Sequence, residues 1–270
     1  MDTSHLRFVF PNAITLASVL CAMSSMYVVS SGAGEVSSIS LGAWLLIASM
    51  VCDAADGRVA RIFNAQSEFG VQLDSLADAI SFGVAPAWLV FHWGLTPLGF
   101  GGVVVSFVYV GCALMRLARF NVAAASEGAK PRFFTGLPSP LAAGALISVV
   151  LAHVSLTSRA STFAFGGVAI LTVLVGLLMV SNVRYRTFKD VKLAPNALAV
   201  ILTFLTASLI IGAVFSPAVS IVFLIFTYVL GGLTTGVMSL GRALFIHDRE
   251  DLEELDELDD HDLVTDDDHR

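Results

Sequence analysis

Residues 52–83 read CDAADGRVARIFNAQSEFGVQLDSLADAISFG, a stretch that combines four aspartates with strongly apolar sequence. Asp53 and Asp56 end one apolar segment, whereas Asp74 and Asp78 lie inside the next one. An ionisable side chain inside a membrane span costs about 2.5–3.5 kcal/mol on insertion scales, so such residues usually have a function. If these segments span a membrane, the four aspartates are therefore candidate functional residues.

The composition is that of a membrane protein. Of the 270 residues, 56% are hydrophobic and 14% are charged, whereas soluble domains have about 25% charged residues. The mean hydropathy is +0.81. These values exclude a soluble globular domain and a disordered chain. Apolar blocks of about 20 residues, long enough to cross a bilayer as a helix, recur along the chain and predict an all-α polytopic membrane bundle.

The basic residues predict eight spans with both termini in the cytoplasm. Fourteen of the 15 lysines and arginines lie before the first span, after the last, or in alternate connections, and only Arg159 lies on the other side. Lysine and arginine concentrate in cytoplasmic loops, so this alternation indicates the orientation. The predicted spans are residues 13–31, 37–56, 67–91, 98–120, 136–156, 161–181, 194–216 and 217–240.

The last 24 residues differ from the rest of the chain. Residues 247–270 hold thirteen acidic and two basic side chains and predict a solvated, disordered tail. The remaining residues, 1–246, form the predicted membrane domain and carry a charge of +4, although the whole chain carries -7. The acidic total argues against nucleic acid as a partner. The mildly basic membrane domain suits a protein that faces anionic lipid.

The spacing of the four aspartates predicts a metal site. Asp53 and Asp56 are three residues apart and Asp74 and Asp78 are four apart, so each pair shares a helix face. Antiparallel packing of the two helices would bring all four carboxylates together near the cytoplasmic surface. Water-exposed helix ends would account for the first pair but not for the second. Four such charges need cations, and oxygen ligands favour two Mg²⁺ or Mn²⁺ ions, with Ca²⁺ as another occupant.

Two residues beside the aspartates fit a phosphate ligand. Gly57 has no side chain, so a phosphate can approach the backbone closely. Arg61 lies one helical turn further on and has the geometry for bidentate pairing with phosphate oxygens. Two divalent ions next to such groups are the usual means of stabilising a displacement at phosphorus. On its own, Arg61 would be read as an interfacial arginine.

Residues 53–78 match, at all eight fixed positions, the pattern D-x2-D-G-x2-A-R-x8-G-x3-D-x3-D, and thereby resemble the CDP-alcohol phosphatidyltransferase family. The resemblance implies transfer of a phosphoalcohol group from a CDP-linked donor to a hydroxyl, with release of CMP. It implies that the four aspartates hold two divalent cations and that Asp78 is the general base. Metal binding would weaken Asp78 as a base, so a mainly positioning role stays open. The resemblance also places Gly57, Ala60, Arg61 and Gly70 at the CDP site.

Three further blocks resemble the phosphatidylserine synthase branch of that family. They are FPNAITL at residues 10–16, RLARFN at residues 116–121 and FTGLPSP at residues 134–140. The first block implies that Asn12 and Thr15 face the nucleotide. The acceptor L-serine carries a carboxylate, which cations would bind. The predicted acceptor-binding residues are Arg116, Arg119, Asn121 and Arg132.

Several alternatives remain open at this point. Glycerol 3-phosphate or an inositol compound would also favour a basic acceptor site, and the lipid donor is either CDP-diacylglycerol or CDP-archaeol. A cation-coupled transporter, with the aspartates as its ion site, is an alternative of another class. The resemblance further implies a homodimer in the plasma membrane, surrounded by membrane lipids, with the active site facing the cytoplasm.

Overall fold

The computed structural model describes residues 6–32, 34–63, 67–126, 133–159, 164–181 and 184–186, together with short pieces between residues 203 and 227. Up to residue 186 the elements are, in chain order, α1 (Leu6–Ser31), α2 (Val36–Ile62), α3 (Glu68–Asp78), a π-helical turn (Ala79–Val84), α4 (Ala85–Val90), a second π-helical turn (Phe91–Leu95), a 3₁₀ turn (Thr96–Leu98), α5 (Phe100–Ser126), β1 (Phe133–Thr135), α6 (Ser139–Thr157), α7 (Phe165–Val180) and β2 (Arg184–Arg186).

Five helical segments among the described residues are long and apolar enough to cross a membrane, and they correspond to the first five predicted spans. They are Val9–Ser31, Val36–Ile62, Glu68–Leu98, Phe100–Ala123 and Ser139–Thr157. Shorter apolar helices, Phe165–Val180 and Ala218–Thr227, fall in the sixth and eighth predicted spans. The all-α, multi-pass class is therefore confirmed. Most of the last two spans and the acidic tail lie outside the described residues, so the count of eight and the orientation stay predictions.

Helix α2 extends further than its predicted span. It continues from residue 56 to Ile62, so Asp53 and Asp56 lie inside the helix and not at its end. Arginine is a good helix former and its long side chain reaches the polar surface, so Arg58 and Arg61 allow the helix to continue. The consequence is that Gly57, Ala60 and Arg61 lie on the same helix as Asp53 and Asp56.

Helices α1 and α2 pack antiparallel through small polar residues. The hydroxyl of Ser25 donates to the carbonyl oxygen of Gly42 at 2.8 Å. The hydroxyl of Ser49 donates to the carbonyl oxygen of Ser18 at 2.9 Å. Small residues let two helix backbones approach closely and exchange such bonds. This packing brings the N-terminal part of α1 next to the aspartates of α2.

The third predicted span is one long helical segment with two irregular turns. Ser67 caps its start, because its hydroxyl accepts a hydrogen bond from the backbone N–H of Gly70 at 3.0 Å. The α-helical hydrogen bonding ends at Asp78 and gives way to the π-helical turn before it resumes at Ala85. The sequence predicted a single span here but not the π-helical turns.

Two short strands, β1 and β2, lie in connections between predicted spans. Strand β1, before α6, pairs antiparallel with strand β2, after α7. Beside β1, Gly136 has φ +82°, and a Cβ at this position would overlap the carbonyl oxygen of Met179. The backbone N–H of Leu137 donates to the carbonyl oxygen of Leu178 at 2.9 Å. These contacts fix the first turn of α6 against the end of α7.

Helix α6 lies at the centre of the described bundle. It is the most buried of the five long helices. Its residues are small where a neighbour approaches, and a Cβ at Gly144 would lie 3.3 Å from Met50 on α2. The same helix thus contacts α2 along its length and starts beside the C-terminal part of α5.

Candidate active site

Three aspartates from two helices converge on one point. Asp53 and Asp56 of α2 and Asp74 of α3 each offer a carboxylate oxygen, and these three oxygens lie within 4.8 Å of one another. Asp56 is buried, with 4% of its surface exposed. The structure thus brings the two predicted pairs together across α2 and α3.

Asp78 lies one turn after Asp74 and stands slightly apart from this three-oxygen group. Its carboxyl group is in hydrogen-bonding contact with that of Asp53 and is within electrostatic range of the guanidinium of Arg116. Its Oδ1 is buried and has no hydrogen-bond partner among the described residues. Two carboxyl groups in such contact require a shared proton or a nearby cation. Asp78 is therefore arranged with one oxygen toward the cluster and one oxygen uncommitted.

The donor set fits hard divalent cations. Every group of the cluster is a carboxylate, and Mg²⁺, Mn²⁺ and Ca²⁺ prefer oxygen ligands. An unpartnered buried carboxylate oxygen, such as Oδ1 of Asp78, is a group that a bound cation or a substrate would satisfy. The residues present are consistent with the predicted metal site.

A cavity of about 320 Å³ opens beside the aspartates. Its wall includes all the predicted nucleotide-binding residues except Arg61. The lining residues are Pro11, Asn12, Thr15, Asp56, Gly57, Ala60, Ser67, Gly70, Val71 and Asp74. Sequence reasoning missed Pro11, Ser67 and Val71. Of these, Ser67 had a detectable signal, because a serine before an apolar helical stretch is a common N-cap.

Thr15 connects the cavity wall to the aspartates. Its hydroxyl donates to Oδ2 of Asp56 at 2.6 Å and also lies 3.2 Å from the carbonyl oxygen of Pro11. Both Thr15 and Asp56 are buried, with 5% and 4% of their surface exposed. A hydroxyl that donates to a carboxylate fixes the direction in which the other lone pairs of that carboxylate point.

The two predicted glycines have different surroundings. A Cβ at Gly57 would meet no atom of the described residues within 4 Å, so this glycine faces the open cavity. A Cβ at Gly70 would lie 3.2 Å from Oγ of Ser67 and 3.5 Å from Oδ1 of Asn12, so this glycine lets α3 approach α1. Arg61 is exposed, and its Nε donates to the carbonyl oxygen of Gly57 at 2.8 Å. Arg61 therefore lies beside the cavity rather than in its wall.

Helix α5 carries three of the predicted acceptor residues, and Arg116 and Asn121 among them hydrogen-bond to neighbouring helices. Nη1 of Arg116 donates to the hydroxyl of Ser139 at 2.7 Å, while its Nε is buried without a partner among the described residues. Nδ2 of Asn121 donates to the hydroxyl of Ser75 at 2.7 Å. The first contact joins α5 to α6, and the second joins α5 to α3 beside Asp74. Sequence reasoning missed Ser139 and Ser75 as partners.

The other two predicted acceptor residues are placed differently. Arg119 is exposed on α5, whereas Arg116 is half-buried. Arg132 lies outside the described residues. The signal for Ser139 was its position in the FTGLPSP block, which the sequence analysis used only for the branch resemblance.

A polytopic helical bundle that places a carboxylate cluster beside a cavity defines an integral membrane protein with a candidate site for divalent cations. Residues 8–180 match the CDP-alcohol phosphatidyltransferase family, and the chain belongs to this family. It is 36% identical, over 74% of its length and 81% of the relative's, to a CDP-diacylglycerol–serine O-phosphatidyltransferase of Helicobacter pylori. Enzymes of the same name from Mycobacterium tuberculosis and Bacillus subtilis are 35% and 31% identical over 68% and 66% of this chain, and over 64% and 90% of their own lengths. The family does not support the transporter alternative.

Proposed function

We propose that this protein transfers the phosphatidyl group of a CDP-linked lipid to the hydroxyl of L-serine and releases CMP. The observation that carries the proposal is the convergence of Asp53, Asp56 and Asp74 within 4.8 Å. Two of them, Asp56 and Asp74, line the cavity together with the motif residues Gly57, Ala60 and Gly70. The named activity of the relatives supports serine as the acceptor.

The cavity accommodates the CDP part of the donor. Asn12 and Thr15 supply polar groups from α1, and Ala60 and Gly70 leave room between the helices. The open space at Gly57 lets the pyrophosphate approach the backbone next to the aspartates. Arg61 lies at the rim of the cavity, where its Nε donates to the carbonyl oxygen of Gly57. Its side chain turns toward the pyrophosphate when the donor binds. CDP-diacylglycerol and CDP-archaeol share this headgroup.

The four aspartates are the ligands that we propose for two divalent cations, Mg²⁺ or Mn²⁺. When bound, these ions supply positive charge that stabilises the pyrophosphate and the departing CMP. The contribution of the protein is to fix the carboxylates before the donor arrives. Thr15 holds Asp56 in place by a 2.6 Å hydrogen bond, and α2 holds Asp53 and Asp56 on one face.

Asp78 is the proposed general base. Its uncommitted Oδ1 takes the proton of the acceptor hydroxyl as the serine oxygen attacks the lipid-linked phosphorus. A bond forms between that oxygen and phosphorus, and the bond from phosphorus to the CMP oxygen breaks, with its electron pair leaving on CMP. Because Asp78 lies outside the three-oxygen group, one of its oxygens is available for this proton transfer.

Arg116 is the proposed anchor for the carboxylate of serine. It interacts electrostatically with Asp78, and Ser139 accepts a hydrogen bond from its Nη1, while its buried Nε has no partner among the described residues. Asn121 is fixed against α3 at the same end of the bundle, and Arg119 and Arg132 complete the proposed acceptor set. Glycerol 3-phosphate or an inositol compound would use the same cations, so the acceptor must be tested directly.

The remaining parts of the proposal concern the environment. We place the enzyme in the plasma membrane with its aspartates at the cytoplasmic face, since basic residues concentrate in the connections at that end. Residues 1–246 form the membrane domain, residues 247–270 form a cytoplasmic tail, and two copies form a homodimer.

A transfer assay tests the function. Membranes that contain the protein receive CDP-diacylglycerol or CDP-archaeol, labelled serine and Mn²⁺ or Mg²⁺. We expect CMP release that depends on serine, with the label recovered in lipid. Release of CMP only with glycerol 3-phosphate or an inositol compound would replace serine as the acceptor. Absence of CMP release with every acceptor would contradict the enzyme function.

A further inference from the structure

The helix that carries Asp74 and Asp78 is interrupted immediately after Asp78. Residues Ala79–Val84 form a π-helical turn, in which the backbone N–H of Ala85 donates to the carbonyl oxygen of Ile80, five residues earlier. A π-helical turn accommodates one extra residue and occurs frequently at functional sites. Because 3.6 residues make one α-helical turn, one extra residue rotates the rest of the helix by about 100°.

Pro86 explains why regular α-helical hydrogen bonding is interrupted at this position. In an α-helix, the residue at position 86 would donate its N–H to the carbonyl oxygen of Phe82, four residues earlier. Proline has no N–H, and its ring clashes with that carbonyl. The carbonyl of Phe82 is thus deprived of its α-helical partner in a segment where Phe82 itself has 0% of its surface exposed. An unpaired buried carbonyl is costly, so another donor is needed.

Tyr109 of α5 supplies that donor. Its phenol hydroxyl donates to the carbonyl oxygen of Phe82 at 3.0 Å, and Tyr109 is fully buried. Helix α7 packs closely on the backbone of α5 at this position, because a Cβ at Gly176 of α7 would lie 3.3 Å from Cα of Tyr109. A Cβ at Gly83 would lie 3.6 Å from Cβ of Ala113, so α5 also packs closely on the π-helical turn.

We infer that Tyr109 is a positioning residue for Asp78. Its hydroxyl holds the carbonyl that Pro86 leaves without a partner, and so maintains the π-helical turn that sets the rotation of α3 relative to the membrane-embedded helix after it. The rotation of α3 decides whether Asp78 points at Asp53 and Arg116. This inference rests on the proposed role of Asp78 in the active site.

The test compares three variants of the full chain in detergent. Tyr109→Phe removes only the hydroxyl. Tyr27→Phe is the matched control, because Tyr27 lies on α1 with 73% of its surface exposed. The double variant Tyr109→Phe with Pro86→Ala gives the carbonyl of Phe82 a backbone donor again, but in α-helical geometry.

Three quantities are measured for each variant: Mn²⁺ binding from the loss of the free-ion electron paramagnetic resonance signal, the midpoint of thermal unfolding, and the steady-state constants of CMP release. For Tyr109→Phe we expect Mn²⁺ affinity and kcat to fall about 10–100-fold, the range seen when groups that orient metal ligands are removed, with KM for the CDP-lipid changed less than about twofold. Tyr27→Phe should behave like the unmodified protein.

The double variant separates positioning from simple stabilisation. Its unfolding midpoint should return toward that of the unmodified protein, because the buried carbonyl is paired again. Its Mn²⁺ affinity should stay low, because the restored bond belongs to an α-helix and changes the rotation of α3. If Tyr109→Phe does not accumulate in membranes, Mn²⁺ affinity is measured in the double variant instead.

Two outcomes would overturn the inference. One is unmodified Mn²⁺ affinity and kcat in Tyr109→Phe. The other is recovery of both stability and Mn²⁺ affinity in the double variant. That result would mean that Tyr109 only pairs the carbonyl of Phe82 and does not position Asp78. If the unmodified protein binds Mn²⁺ but releases no CMP, the proposed function fails, and the binding measurements still decide the role of Tyr109.

Discussion

Removing one hydroxyl, in Thr15→Val, should weaken metal binding without disturbing the fold. Valine keeps the branched shape of threonine, so the packing of α1 on α2 is preserved. The lost interaction is the 2.6 Å hydrogen bond to Oδ2 of Asp56, between two side chains of which only 5% and 4% are exposed. Without this bond, the carboxylate of Asp56 is free to rotate away from Asp53 and Asp74.

The magnitude follows from the character of this bond. A hydrogen bond to a charged group contributes about 1.5–3 kcal/mol, and about 1.4 kcal/mol corresponds to a factor of ten in a binding constant. If the full amount is expressed in metal binding, affinity falls by one to two orders of magnitude. Losses of about 10–100-fold are also typical when a group that orients a metal ligand is removed. The two estimates agree on the scale of the effect.

The assay is a titration of CMP release with Mn²⁺ at saturating CDP-lipid and serine. We expect the half-maximal Mn²⁺ concentration to rise about 10–100-fold in Thr15→Val. The matched control is Thr172→Val on α7, because Thr172 is fully buried and its hydroxyl donates only to the carbonyl oxygen of Val168 in its own helix. An unchanged Mn²⁺ requirement in Thr15→Val, or an equal rise in Thr172→Val, would refute the reasoning.

Three other predictions concern the proposed catalytic groups, the donor cavity and the acceptor site. Asp74→Asn and Asp78→Asn should each lower kcat by about 10²–10⁴-fold or more while the protein still inserts, because one loses a cation ligand and the other the proton acceptor; CMP release and membrane yield measure this. Gly57→Ala should leave the unfolding midpoint unchanged or raise it, because no described atom lies within 4 Å of the new methyl group and alanine favours a helix. Its KM for the CDP-lipid should rise on the order of tenfold, equivalent to about 1.4 kcal/mol, because the methyl group enters the cavity. Arg116→Lys keeps the charge but loses the paired geometry with the serine carboxylate, so KM for serine should rise about tenfold while KM for the CDP-lipid stays constant.

Each of these three predictions has its own control and its own contradicting result. Glu68→Gln, in the first turn of α3 and outside the aspartate cluster, should leave kcat unchanged; turnover at the unmodified rate in either aspartate variant would argue against the metal site. Gly102→Ala places a Cβ against the carbonyl oxygen of Leu95 and should lower the unfolding midpoint instead of raising KM. A donor KM that rises together with the serine KM in Arg116→Lys would remove Arg116 from the acceptor site.

The transmembrane class and the two aspartate pairs were predictable because both depend on local sequence. Apolar length alone determines whether a helix can cross a bilayer, and five long helices confirm that prediction. Each pair of aspartates was predictable since spacings of three and four residues determine which side chains share a helix face. Asp53 and Asp56 therefore had to point the same way once α2 formed. Tertiary packing then brings carboxylates of α2 and α3 together.

The partners of the predicted residues were not predictable. Thr15 and Asp56 are 41 residues apart, and Arg116 and Ser139 are 23 apart, so only the packing of α1 on α2 and of α5 on α6 brings them together. Arg61 was expected at the phosphates because of its residue type, but its contact with the carbonyl oxygen of Gly57 depends on the extension of α2 to Ile62.

By itself, the sequence determined that this chain is a multi-pass helical membrane protein and which of its few intramembrane carboxylates share a helix face, because insertion cost and helical periodicity are properties of local sequence. The tertiary structure alone decided how Asp78 is presented. The phenol of Tyr109 on α5 donates to the carbonyl oxygen of Phe82, which Pro86, four residues later, cannot pair because proline has no N–H. No local pattern encodes that contact, because it depends on the distance between two helix backbones.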